Sequence, residues 1–183
     1  MQSSDEKLSE LILYITGRTV GDEASGAIKL NKYLWFAEVA ALRKLGRTLT
    51  GSEYHKLKLG PAPRRLPPVR ARLISDGAAR LEQRSDAFGH VHHDLIPNRA
   101  ARTELFTEDE LSLVDEVVDA LRHLSAAQVS ELSHQEAGWQ LVDEGEVIPP
   151  ELAFVLAPAE AVPTAAIRAE GLRLLDLYRD RLT

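Results

Sequence analysis

The feature that most restricts how this chain can fold is the stretch Ala27 to Leu45, which reads as a helix apolar on two sides. At about 100° per residue, Leu30, Leu34, Ala37, Ala41 and Leu45 form one stripe, and Ile28, Trp35, Val39 and Leu42 form a second. Asn31 and Glu38 fall between the stripes, while Lys29, Lys32, Arg43 and Lys44 surround Tyr33 and Phe36 on the remaining arc. Each stripe needs its own packing partner, so such a helix belongs at the centre of a domain. Rings left beside cations on the polar arc predict a free contact surface; the competing reading makes Tyr33 and Phe36 further core.

Around that helix the pattern predicts a mainly α fold with a short β-hairpin. A first helix starts near Ser3 and ends at Gly17, and Gly46 closes the central helix in a left-handed conformation. Thr50-Gly51-Ser52-Glu53 has capping-box chemistry for a short helix over 53–57. Pro61, Pro63, Pro67 and Pro68 interrupt regular helix until Pro68 opens a new one, Val69 to Ser75. Residues 79–84 and 90–96 flank a five-residue turn containing Gly89 and read as the hairpin. Helix, turn, helix and hairpin in that order amount to winged-helix-like elements within a compact helical domain. Thr107 with Glu110 and Ser125 with Gln128 are two further capping boxes. A short helix through Leu132, another over 134–142 and a last one from Thr164 complete the reading. Residues 1–145 are expected to form the domain, and 146–183 a proline-bearing segment with a C-terminal helix packed on the domain or on a partner.

Composition narrows the chemistry. No cysteine is present, which excludes disulfides, thiolate zinc sites and cysteine nucleophiles. Acidic residues from Asp5 onward and the lack of an apolar run near 18 residues point to the cytoplasm. The net charge of -6 is unevenly spread: residues 53–84 carry 8 basic and 3 acidic side chains, and residues 104–183 carry 5 and 17. The basic stretch suits phosphate or an acidic protein, and the acidic half repels nucleic acid.

Three motifs in register resemble one family. Lys29-Leu30-Asn31-Lys32-Tyr33-Leu34-Trp35-Phe36-Ala37 is similar to the opening K-L-x-K-x-L-(Y/W)-F-A of the Panacea domain, which includes the SocA-like antitoxins. Gly60-Pro61 follows, and then Leu132-Ser133-His134-Gln135-Glu136-Ala137-Gly138-Trp139, similar to L-(S/T)-H-x-E-x-x-W. The match spans about residues 5 to 142. It departs at Leu59 and Ala62, where the family commonly has an aromatic and a valine, and in the run Arg64-Arg65-Leu66-Pro67-Pro68. The resemblance implies an antitoxin that neutralises a cognate protein toxin by direct binding, or hands it to a protease unfoldase as an adaptor. The surface expected to bind joins Lys29, Lys32, Tyr33 and Phe36 to Gly60 and Pro61.

Other chemistry is less complete. His90, His92 and Asp94 alternate to one face of a strand and could ligate a metal, but same-side positions about 7 Å apart are awkward for one ion. His134 and Glu136 invite an acid–base reading. A capping box from Ser133 to Glu136, with Trp139 anchoring the next turn, is more economical. No catalytic residue, metal or cofactor is therefore assigned. Leu34, Trp35, Ser133, His134, Glu136 and Trp139 are read as structural. The alternative class is a winged-helix DNA-binding regulator in which Arg64, Arg65, Arg70 and Arg72 meet phosphates.

Overall fold

The computed structural model describes residues 4–22, 26–85 and 91–155, with 169, 172 and 173. Six α-helices run in the order α1 (Ser4–Arg18), α2 (Ala27–Leu45), α3 (Leu66–Ser75), α4 (Glu108–Leu121), α5 (Ala126–His134) and α6 (Ala137–Gln140). Between and after them lie β1 (Tyr54–His55), β2 (Ala62–Pro63), β3 (Ala79–Ser85), β4 (Val91–Pro97) and β5 (Val147–Ile148). Short 3-10 turns occupy Thr103–Leu105 and Pro150–Phe154. The C-terminal helix expected from Thr164 falls almost wholly outside the described residues.

Helix α2 is the hub, packed against α1, α4, α5, β2 and the 3-10 turn at Pro150–Phe154. Its two stripes explain this: Leu34, Ala37 and Ala41 are wholly buried, as are Leu8, Leu11, Ile12 and Ile15 of α1 and Val114, Val118 and Val129 from α4 and α5. Gly46 ends the helix at φ 71°, its N–H donating to Leu42 O, a conformation that costs a side-chain-bearing residue about 1 kcal/mol or more. Both capping boxes at Thr107 and Ser125 form as their sequences require.

The sheets are small and antiparallel. β1 lies between β2 and β5, with Tyr54 opposite both Pro63 and Ile148, and β3 pairs with β4 from Ala79 opposite Pro97 to Ser85 opposite Val91. The short helix expected over 53–57 is instead β1. Thr50 does not cap it, because its hydroxyl donates to the Glu38 carboxylate and accepts from Ser52 N at 3.1 Å. Helix α3 also begins earlier than Pro68. Pro67 and Pro68 sit in its first turn, where missing N–H groups cost nothing.

Two buried carboxylates tie loops to this frame. Glu38 of α2 accepts Leu49 N at 2.6 Å, Thr50 N at 3.1 Å and the Thr50 hydroxyl, which fixes the chain entering the β1 region; burial pushes its carboxyl up. Glu10 of α1 accepts Arg99 at 2.7 and 2.8 Å and Arg102 through N at 2.8 Å and Nε at 3.0 Å. Burial raises the Glu10 carboxyl, but these bonds prevail and hold it down at about 2 against a reference of 4.5. A carboxyl depressed in the folded state stabilises fully above about pH 4.5, and that stability is lost as pH falls toward 2. Urea denaturation between pH 6 and 2.5 should show Glu10→Gln less stable by about 2 kcal/mol at neutral pH, with the gap closing in acid.

Candidate functional site

The arc of α2 expected to be free is covered. Lys29, Lys32 and Tyr33 are each 0–1% exposed, Gly60 and Pro61 are buried, and Phe36 is half-buried against the core. For Lys29 and Tyr33 the cause lies in the connection after α1. Asp22 folds over the helix and accepts Lys29 Nζ at 2.7 Å and the Tyr33 hydroxyl at 3.3 Å, while Lys29 Nζ also donates to Arg122 O at 2.7 Å. A buried ammonium is tolerated when a carboxylate and a carbonyl replace its water. Asp22 beside the first helix was the sequence signal available for this, but a lone loop aspartate does not identify its partner. Arg43 and Lys44, at the far end of the arc, are exposed and pair with Glu136 and Glu116.

The three motifs nevertheless converge, at Gly60. Its φ of 107° is a glycine conformation, and a methyl group there would overlap Lys32 Nζ and Ser133 Oγ. Lys32 from α2 and Ser133 from α5 therefore end against the same backbone atom. Ser133 is not a cap, contrary to expectation. α5 runs through to His134, so the wholly buried Ser133 hydroxyl turns back to donate to Ser130 O at 2.7 Å. Glu136 occupies the N-cap of α6 without a side-chain cap, because its carboxylate binds Arg43 at 2.7 Å. Among the described residues no hydrogen bond joins Glu136 to His134, whose Nε2 has no partner.

Beside this junction the Trp139 ring stacks on His134 at 4.0 Å and carries Lys56 Nζ at 4.1 Å from its centroid. Trp139 Nε1 donates to Leu57 O at 3.0 Å and Lys56 Nζ to Val142 O at 2.9 Å, binding the loop before Gly60 to α6. The edge of Trp35 abuts Gly138, and its ring lies 5.4 Å from Tyr54. Several polar atoms here are buried with no hydrogen-bond partner among the described residues: Asn31 Oδ1, Trp35 Nε1, Tyr54 Oη and His134 Nε2. Burial, followed by the nearby Lys32 charge, lowers the His134 pKa. Next to Gly60 and Ser133, Leu57 is 38%, Leu59 52% and Leu132 38% exposed. The alternation Lys56-Leu57-Lys58-Leu59 before Gly60 was the signal for this rim, which the sequence reading passed over.

Lys32 is the uncompensated member. It has no hydrogen bond or ion pair among the described residues, and desolvation alone pulls its pKa from 10.5 to about 8. The folded protein therefore sheds this proton at a pH where the unfolded chain keeps it. Between pH 8 and 10.5 stability rises with pH, and below 8 the full penalty remains. Lys32→Met should accordingly stabilise by about 1–3 kcal/mol at pH 7 and by progressively less toward pH 10.5. Guanidinium unfolding at pH 7 and 10 measures both.

The basic stretch is largely committed within the fold. Arg65 binds Asp5 through two bonds of 3.1 and 2.7 Å, Arg72 reaches the same carboxylate at 3.5 Å, and Arg64 lies 3.9 Å from Glu53. Arg70 instead lines a cleft of about 750 Å³ between α1, α2, α3 and the hairpin, with Arg80 and Arg84. Arg80 pairs with Asn98 and Glu82, and Arg84 with Asp94. Asp94 is thus engaged by arginine. His90 and the side chain of His92 lie outside the described residues, and among those described no group of three or more candidate ligands could hold a metal.

Helices packed around a buried central helix, with small antiparallel sheets, make this a helix-rich domain whose motif residues meet at one loop. The family model described as antitoxin SocA-like, Panacea domain, matches residues 30–140. The chain belongs to that family, and the matched region runs from the first turn of α2 to the end of α6. No curated protein and no solved structure matches the chain. No helix among the described residues is long and apolar enough to cross a membrane.

Proposed function

We propose that the protein is an antitoxin that binds a cognate protein toxin directly and masks it without catalysing a reaction. The observation that carries this reading is the family match over α2 to α6, which takes in the convergence of all three motifs at Gly60. Masking is favoured over delivery to a protease because folded contact alone suffices for it. Against the regulator reading, Arg65 and Arg72 share Asp5 and Arg64 lies 3.9 Å from Glu53, which offsets part of their charge. The test is to express the reading frame adjacent to this gene alone and together with it. Growth arrest relieved by co-expression, with a complex that copurifies and an undiminished toxin level, supports masking. Relief with rapid loss of the toxin would indicate delivery. No arrest by the neighbour, with salt-sensitive binding of the purified protein to its upstream duplex, would overturn the reading in favour of the regulator.

A further inference from the structure

Strand β3 has an edge that the fold leaves open. Asn98 N donates to Ala78 O at 2.9 Å in register with the β3–β4 ladder, and this sets the phase of the ladder bonds. Arg80, Glu82 and Arg84 exchange backbone bonds with β4, and Leu81, Gln83 and Ser85 turn their N–H and C=O groups outward. Pro97, which has no N–H to give, stands opposite Ala79 at an unbonded position, as that phase requires. No backbone bond joins Leu81, Gln83 or Ser85 to another element among the described residues, and all three are exposed. Strand β4, by contrast, packs on α1 and α2, with Asp94 and Leu95 buried.

Leu81 and Ser85 of that edge line the cleft of about 750 Å³ described above. Leu30, Leu66 and Leu95 give the cleft an apolar floor, while Val20 and Leu81 line it at 63% and 46% exposure, so solvent reaches it. Its charges are matched in pairs except for one. Asp22 meets Lys29, Glu82 meets Arg80 and Asp94 meets Arg84, whereas Arg70 has no hydrogen bond or ion pair among the described residues. We propose that an extended segment of the toxin adds to the outer edge of β3 as a third strand, presenting a carboxylate to Arg70 and an apolar side chain to the floor of the cleft. A strand supplies the alternating donors and acceptors that the edge calls for. Its side chains return to one face at every second residue, so an acidic and an apolar residue two apart enter the cleft together. A nucleic-acid backbone would offer phosphate acceptors without such donors and gain nothing from an apolar floor, so this face fits a protein segment better than a duplex. Main-chain bonds would supply affinity, and Arg70 with the floor would select the sequence.

This inference rests on the antitoxin reading, and its test separates the two. Binding of the toxin recovered by co-expression is measured by calorimetry for wild type, Arg70→Glu and Gln83→Pro, each with a thermal melt. The Gln83 N–H points away from β4, so proline there removes an outward donor and no ladder bond. Both variants should bind about tenfold more weakly or worse, with melts near that of wild type. Hydrogen exchange reports the added strand itself. In the free protein the Leu81 and Gln83 amides should exchange faster than those of Glu82 and Arg84, and toxin should slow them by about tenfold or more. Should Gln83→Pro melt early, Arg70→Glu and the exchange rates decide. Growth rescue with wild-type affinity in Arg70→Glu, or toxin that leaves the Leu81 and Gln83 amides unslowed, overturns the inference and leaves the antitoxin standing. Leu81 and Gln83 amides already as protected as that of Glu82 in the free protein would mean that another part of this chain covers the edge. A wild-type dimer in sedimentation that Gln83→Pro makes monomeric would assign the edge to a second copy, and either result overturns the inference. A neighbouring frame that causes no arrest for this protein to relieve would overturn the antitoxin reading and this inference with it.

Discussion

Leu34→Ala is expected to lower the thermal midpoint by about 8–15 °C, from a loss of roughly 3–4 kcal/mol at a few degrees per kcal/mol for a chain of this size. Leu34 is wholly buried at the middle of the helix on which α1, α4 and α5 all pack, so a truncated side chain leaves a cavity that several elements would have to move together to close. Trp35→Ala should cost a similar amount, since the indole fills the space against Tyr54 and Gly138. Phe36, half-buried on the same helix, supplies the comparison: its alanine variant should lose clearly less. Differential scanning calorimetry of the three variants decides the matter. Equal, small losses would mean that α2 is not the hub of the fold.

Where local chemistry determines structure, the sequence was readable. The span of α2, its left-handed glycine end, both capping boxes and the β3–β4 hairpin are set by residues a few positions apart, and each formed where expected. Distant partners made the rest illegible. Tyr54 became a strand residue because Pro63 and Ile148 flank it, and the Thr50 hydroxyl left its capping role to donate to a carboxylate twelve residues earlier. The same cause hid the site. Lys29 and Lys32 look alike on a helical wheel, and only the path of the chain after α1 gives Asp22 to Lys29, while Lys32 has no ion-pair partner among the described residues. Helical periodicity correctly separated polar from apolar positions on α2, but it could not say that the polar arc would be buried as well. The winged-helix arrangement required a relation between α3 and its neighbours that element order alone does not fix.

Gly60→Ala should lower stability by about 2–4 kcal/mol, and the size of that loss should depend on Lys32. Two effects add at this position. An alanine at φ 107° adopts a backbone conformation unfavourable by about 1–2 kcal/mol, and its methyl group would displace Lys32 Nζ and Ser133 Oγ from the places they hold. Gly46→Ala isolates the first effect, because Gly46 has φ 71° with open space where a side chain would stand; it should lose only about 1 kcal/mol. Lys32→Ala removes the lysine's share of the second and leaves the overlap with Ser133 Oγ. On that background the ammonium and its neighbouring methylene are gone, so Gly60→Ala should cost at least 1 kcal/mol less than it does in the wild type. A double-mutant cycle by chemical denaturation measures the coupling. If the two substitutions were additive within about 0.4 kcal/mol, Lys32 would not be held against Gly60 in the folded protein.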